Sequence, residues 1–100
     1  MTGCYIIYSP SLDMFYTGAT QDSPENRIGK HILRTYGVQH ATSGASDWQL
    51  FLFIETRDYS EAIRIERHIK RMKSRIYIQN LKKYPEMIEK LKAKSNRLSR

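Results

Sequence analysis

The first twenty residues, MTGCYIIYSPSLDMFYTGAT, decide the fold. They contain two short strand-forming runs, 4–8 and 14–17, because Ile, Tyr, Phe and Thr suit a pleated, half-buried surface. The segment between the runs is rich in Ser, Pro and Asp, which favour turns. The pattern predicts an antiparallel hairpin with one tyrosine on each strand. If Tyr5 pairs directly with Tyr16, both phenols share one face of the sheet.

Two more elements are predicted between the hairpin and residue 56. Residues 23–34 begin with Ser, Pro and Glu, a combination typical of a helix start, and this helix should end near Gly37. Residues 48–56 form a continuous apolar run. A run this short predicts a strand that is covered on both faces and supplies most of the core.

The second half of the chain predicts three helices. Asp58 and Glu61 resemble a capping box at the start of the first. Ser74 opens the second, which spans 75–83, and Pro85 opens the last. The predicted apolar contacts of the three helices are Ala62, Ile65, Ile69 and Met72; Ile76, Ile78 and Leu81; and Met87, Ile88 and Leu91.

These elements predict an α+β fold with a small three-stranded antiparallel sheet flanked by helices. The expected order is β-β-α-β-α-α with a C-terminal helix. Residues 1–84 form one domain in this interpretation. Residues 85–100 form a basic C-terminal helix and tail that pack on the domain or fray from it.

Composition limits the class of protein. One hundred residues, 40% hydrophobic and 11% aromatic, suit one folded domain with a real core. No apolar run approaches the roughly 18 residues of a membrane span, and the N-terminus lacks a signal-peptide pattern. A single cysteine, Cys4, leaves no internal disulfide and indicates a reducing compartment. We therefore expect a cytoplasmic protein without membrane contact.

The positive charge is concentrated in the helical half. Residues 1–60 carry four Lys/Arg and six Asp/Glu, whereas residues 61–100 carry thirteen and four. This segregation is expected of a protein that binds a phosphate backbone. For residues 90–100 a solvated Lys-rich tail is the alternative. The candidate DNA-binding cations are Arg64, Arg67, Lys70, Arg71, Lys73 and Arg75.

Three further residues are candidates for chemistry. Arg27 and His31 are four apart, so they lie on one face of the predicted helix and could both reach a phosphate. Glu66 falls on the core-facing side of its helix, where a carboxylate is costly unless it is paired or binds a cation. The alternatives are surface roles for Arg27 and His31, and a salt bridge from Glu66 to Arg27 or Lys70.

Gly3-Cys4-Tyr5 and Tyr16-Thr17-Gly18, with ten residues between the two tyrosines, resemble the paired signature of the GIY-YIG endonuclease superfamily. Cys4 replaces the usual Ile, and Thr17 the usual Ile or Val. Arg27, His31 and Glu66 follow at the family's spacing. The chain is most similar to small stand-alone bacterial members, which resemble the N-terminal domain of the excision-repair nuclease.

The resemblance implies a metal-dependent endonuclease that hydrolyses DNA phosphodiester bonds, with a role in DNA repair or recombination. Tyr5 would be the base or would position water, with support from Tyr16 and His31. Arg27 would grip the scissile phosphate and help to favour the phenolate. Glu66 would hold one Mg²⁺ or Mn²⁺ ion, which takes its other ligands from water and phosphate. Asn80 lies about where many members place a functional asparagine.

Other sites and functions are less well supported. One Cys and three scattered His give no zinc-ligand spacing, and no Gly-rich loop indicates a small organic cofactor. His40 and Cys4 are more simply a solvated loop residue and a core residue. The main alternative function is a non-catalytic nucleic-acid-binding module with a residual GIY-YIG site. We also expect a monomer or weak homodimer, and a protein partner that supplies specificity.

Overall fold

The computed structural model describes residues 1–21 and 45–98 of the chain, with side chains up to residue 93 in the last helix. The strands are β1 (Gly3–Ser9), β2 (Met14–Thr20) and β3 (Gln49–Glu55), and the helices are α1 (Tyr59–Met72), α2 (Arg75–Lys83) and α3 (Pro85–Leu98). The predicted α+β class is confirmed. The helix predicted over 23–34, with Arg27 and His31, and the loop residue His40 lie outside the described residues.

Within the described part of the chain, the strands form one antiparallel sheet in the order β2-β1-β3. Tyr5 pairs with Gly18, and Ile7 pairs with Tyr16. A direct Tyr5–Tyr16 pair is therefore wrong by two residues. Because a shift of two residues keeps every side chain on its original face, the prediction that both phenols share one face is confirmed.

The turn between β1 and β2 is held by a residue from the segment before β3. Asp47 accepts hydrogen bonds from the Ser9 hydroxyl (2.6 Å), the Ser11 hydroxyl (2.9 Å) and the Ser11 backbone N–H (2.8 Å). These bonds lower the pKa of the Asp47 carboxyl, and the Ser9 bond contributes most. The turn ends at Asp13, whose φ of 52° lies in the left-handed region that Asp tolerates.

The three described helices cover one face of the sheet. The residues of this core share an aliphatic or thiol side chain and near-complete burial; they are Cys4, Ile6, Ile54, Ile65, Ile69, Ile78, Leu81 and Leu91. Met87 and Ile88 of α3 pack against them, as predicted. Within the described chain, no helix is both long and apolar enough to cross a membrane.

The prediction for residues 48–56 is wrong in one respect. Gln49–Glu55 do form the third strand, but β3 is at the edge of the three-stranded sheet, and its residues other than Ile54 are exposed or half-buried. Leu50 is 39% exposed, and Ile54 is the buried hydrophobic residue of the strand. The central strand β1 supplies a larger share of the core, because a middle strand is flanked by strands on both sides.

Helix caps follow the predicted pattern, and two apolar contacts do not. Asp58 caps α1 by accepting from the Glu61 backbone N–H at 2.8 Å. The buried Glu61 side chain reaches back to the Arg57 N–H at 2.9 Å. Met72 and Ile76 are 44% and 68% exposed, because they flank the junction where α1 ends and α2 turns away.

Candidate active site

Tyr5 and Tyr16 lie on the sheet face opposite the described helices. Tyr5 is 1% exposed and belongs to a cluster with Ile7, Ala45 and Trp48, against which Tyr16 packs. The Tyr5 ring crosses directly over Gly18, and a Cβ at that position would lie 2.5 Å from Tyr5 Cζ. The second glycine of the signature is therefore a steric requirement of the first tyrosine, because only a residue without a side chain leaves room for the ring.

Gly3 of β1 has a similar role where β1 faces β3. A Cβ on Gly3 would lie 2.6 Å from Phe53 Cζ and would also strike the Ile54 carbonyl oxygen. Gly18 of β2 thus makes room for the Tyr5 ring of β1, and Gly3 of β1 makes room for the Phe53 ring of β3. The signature thus has a packing basis independent of catalysis.

Glu66 reaches the edge of the sheet at β2, where it meets Tyr16 through a shared lysine. Lys70 Nζ lies 3.0 Å from Glu66 Oε2 and 5.5 Å from the centroid of the Tyr16 ring. The ion pair follows from the i,i+4 spacing on α1. The alternative role predicted for Glu66, a salt bridge to Lys70, is therefore present.

The charges of Glu66 and Lys70 act on the Cys4 thiol of the central strand. Burial is the main cause that raises the pKa of the Cys4 thiol, and the negative charge of Glu66 raises it further. Lys70 acts in the opposite direction. Cys4 is fully buried, so it is a core residue and not a nucleophile. Glu66 and Lys70 together place a charged pair beside the apolar core.

The predicted DNA-binding cations occupy the outer surface of α1 and the start of α2. Arg67, Lys70 and Arg71 are exposed and share one face of α1, since they are three and four residues apart. Arg64 is half-buried and already engaged in another interaction. Lys73 and Arg75 are exposed at the α1–α2 junction.

Asn80 lies in the second half of α2. It is half-buried within α2, where its backbone carbonyl accepts a hydrogen bond from the Tyr84 N–H at 2.7 Å. Its functional role stays a prediction. The same holds for Arg27 and His31.

Asp13 is a residue of the basic surface that no sequence pattern indicated. It forms a bidentate pair with Arg75, with Asp13 Oδ1–Arg75 Nη2 at 2.7 Å and Oδ2–Nη1 at 3.2 Å, and accepts from the Tyr8 hydroxyl at 2.6 Å. The Arg75 and Tyr8 hydrogen bonds lower the pKa of the Asp13 carboxyl to about 2. In sequence Asp13 is a turn residue 62 positions from Arg75, so no local pattern links them.

The donor chemistry fits one divalent ion of the magnesium type. Glu66 has a solvent-accessible side chain, 19% exposed, and its only ion pair in the described chain is with the half-exposed Lys70. Mg²⁺ commonly binds one or two carboxylates and keeps several waters. Among residues 1–21 and 45–98, no group of three or more His, Cys, Asp or Glu could hold a metal. Glu66 thus offers one carboxylate of the described chain to such an ion.

A three-stranded sheet with two phenols on one face and a helix-borne acid at its edge defines a small α+β domain with a polar, basic rim. Residues 1–84 match the family model of the GIY-YIG catalytic domain. The chain therefore belongs to the GIY-YIG family, whose members are nucleases and generally depend on a divalent metal. Neither the curated proteins nor the solved structures gave a significant match.

Proposed function

We propose that this protein is a metal-dependent endonuclease that hydrolyses DNA phosphodiester bonds at a site on the β2 side of the sheet. The observation that carries the proposal is the shared contact of Lys70 with Glu66 and Tyr16 in a chain of the GIY-YIG family. It brings a candidate metal ligand and a candidate phenol to one edge, although 50 residues separate them in sequence.

In the proposed reaction, water attacks phosphorus in line with the P–O bond to the leaving oxygen. That bond breaks as the new P–O bond forms, and the leaving alkoxide takes a proton from solvent water. Tyr5 either takes a proton from this water as a phenolate or positions the water as a phenol, and Tyr16 and His31 support it through hydrogen bonds. Arg27 holds the scissile phosphate and stabilises the added negative charge. Glu66 would hold one Mg²⁺ or Mn²⁺ ion, which would supply Lewis-acid stabilisation of the leaving oxygen. The ion pair with Lys70 orients Glu66 toward the edge of the sheet.

DNA would be held by the basic surface of α1 and α2. Arg67, Lys70 and Arg71 present three cations on one helix face, a spacing that suits contacts along a phosphate backbone. Arg64, Lys73, Arg75 and Asn80 complete the proposed binding residues. The same proposal includes a role in DNA repair or recombination and a cytoplasmic location. It also includes a monomeric or weakly dimeric state and a protein partner that adds specificity.

A nicking assay tests this function. Wild type should nick supercoiled DNA with Mg²⁺ or Mn²⁺ and stop when the ion is chelated, whereas Glu66→Gln should be slower by about 100-fold or more. Glu89→Gln removes an equally charged, exposed carboxylate on α3 and should cut as fast as wild type. Equal rates for Glu66→Gln and Glu89→Gln would contradict the proposal. A panel of single-stranded, duplex, flap and junction DNAs then identifies the substrate.

The second candidate is a nucleic-acid-binding module that does not cleave. The observation that favours it is the Glu66–Lys70 ion pair, because it gives the carboxylate a purely structural partner. This function predicts salt-sensitive DNA binding with no cleavage under any divalent metal. It also predicts that Glu66→Gln binds DNA slightly more tightly, since one negative charge is lost.

A further inference from the structure

A groove of about 370 Å³ runs beside β2, next to Tyr16 but outside the cluster that contains Tyr5. We call it the β2 groove. It lies between β2 and the α1–α2 junction, and its apolar wall includes Phe15, Ile69 and Ile78. Its cations are Lys70, Lys73 and Arg75.

The ammonium group of Lys73 at this groove is not in an ion pair within the described part of the chain. Lys73 ends α1 in the left-handed conformation, with φ of 48°, and its side chain is exposed. A lysine without an anion, placed beside two other cations, attracts a negatively charged ligand.

Arg75 is also positioned for an anion, and in the free protein that anion is Asp13. The pair is bidentate, which is the geometry that a guanidinium uses with carboxylate or phosphate oxygens. Both side chains are largely exposed, at 50% and 66%. An exposed ion pair contributes little stability, so a phosphate that also contacts Lys73 can replace the carboxylate.

The ligand that fits these features is a phosphodiester. Three cations line one side of the β2 groove, and Tyr16 of the proposed cleavage site lines the same groove. A strand whose scissile phosphate lay at Tyr16 would carry its neighbouring phosphates along β2 toward Lys73 and Arg75. The apolar wall formed by Phe15 and Ile78 would contact sugar or base.

We propose that the β2 groove binds a non-scissile phosphate of the nucleic-acid substrate through Lys73 and Arg75, and that Asp13 occupies Arg75 until this phosphate displaces it. The inference rests on the proposed function for the identity of the ligand. Asp13 thereby acts as an internal competitor, because a phosphate that enters the groove must displace it from Arg75 before it can bind there. Its carboxylate stays ionised at neutral pH, so the competition is constant.

Fluorescence anisotropy with labelled duplex DNA, over a salt series and without divalent metal, tests the groove separately from cleavage. Lys73→Gln and the exposed Lys90→Gln on α3 form one matched pair. Lys73→Gln should reduce the slope of log K against log salt by about 0.9, the value for one lost phosphate contact. Lys90→Gln should leave the slope near that of wild type.

Asp13→Asn and Glu89→Gln form the second pair, because each removes one negative charge. Asn tolerates the left-handed backbone at position 13, so the turn is retained. Asp13→Asn should bind DNA about two- to fivefold more tightly than Glu89→Gln, since the phosphate no longer has to displace an exposed carboxylate from Arg75. Circular dichroism checks that each variant is folded.

The outcomes separate the two proposals. If the members of each pair bind alike, the groove is not a phosphate site, even in a protein that cuts DNA. If Lys73→Gln and Asp13→Asn differ from their controls in a protein that never cuts, the groove is supported and the nuclease proposal falls.

Discussion

On the helix-covered face of the sheet, β1 presents Cys4 and Ile6 to an aliphatic core; on the opposite face the same strand presents Tyr5 and Ile7. The first face is apolar and close-packed. The second carries both signature phenols and the glycine that makes room for one of them. Strand alternation thus places the aliphatic core and the proposed catalytic phenols on opposite faces of one seven-residue strand. Glu66 connects the two regions, because it comes from a helix of the first face and meets Tyr16 at the sheet edge through Lys70.

The largest effect should come from removing one hydroxyl on the chemical face. Tyr5→Phe keeps the ring over Gly18 but removes the proposed proton acceptor, so the cleavage rate should fall by about 100-fold or more while the protein stays folded. The matched control is Tyr84→Phe, which removes a hydroxyl from an exposed tyrosine at the end of α2. Single-turnover cleavage of plasmid DNA measures both. Equal rates for Tyr5→Phe and Tyr84→Phe would show that the first phenol has no chemical role.

The next largest effect should come from a substitution in the helix-covered core, which should change the stability and not the cleavage rate. Leu81 is fully buried, so Leu81→Ala should lower the free energy of unfolding by about 2–5 kcal/mol. The cleavage rate per folded molecule should be unchanged, because Leu81 belongs to the core on the face opposite Tyr5 and Tyr16. Urea unfolding and cleavage at low temperature test the two halves of this prediction. A catalytic loss in fully folded Leu81→Ala would mean that the two faces are not separate.

Gly18→Ala should change both the stability and the cleavage rate. Its new Cβ would overlap the Tyr5 ring, which costs about 1–3 kcal/mol of stability and also displaces the phenol. We therefore expect a lower thermal midpoint together with reduced cleavage. Thermal unfolding and the nicking assay read the two effects. A wild-type thermal midpoint and a wild-type cleavage rate would mean that the Tyr5 ring moves aside without affecting stability or activity.

The smallest effect concerns the turn that joins β1 and β2. Hydrogen bonds from Ser9 and Ser11 hold the pKa of Asp47 below its ordinary value of 3.8. A depressed carboxyl pKa contributes stability that is present above the unfolded value and is lost as the pH falls through the folded one. Asp47→Asn should thus lower the thermal midpoint at neutral pH, and the difference from wild type should shrink below pH 3.8. A difference independent of pH would exclude this ionic contribution.

Local patterns predicted much of the fold. The hairpin, the caps at Asp58 and Ser74, and the start of the last helix at Pro85 each depend on residues close in sequence, and all are confirmed. The pairing of Tyr5 with Gly18 was not predictable, because the length and shape of the turn set the register. The edge position of β3 was missed for a related reason: an apolar run does not show which strand lies in the middle.

The candidate site was less accessible to sequence reasoning than the fold. Helical spacing placed Glu66 and Lys70 together, so their ion pair was foreseeable. The contact of Lys70 with Tyr16 and the pair of Asp13 with Arg75 join residues far apart in the chain. Such contacts depend on how α1 and α2 dock against β2, and that docking is decided by burial over the whole core.

The most direct test of the account asks whether Tyr16 and Glu66 act in one site across the β2 edge. A double-mutant cycle with Tyr16→Phe and Glu66→Gln, read by single-turnover cleavage with Mn²⁺, measures their coupling. If they act as a unit, the double variant should be about as slow as the slower single variant. A double variant that loses the full product of the two single losses would contradict a shared site.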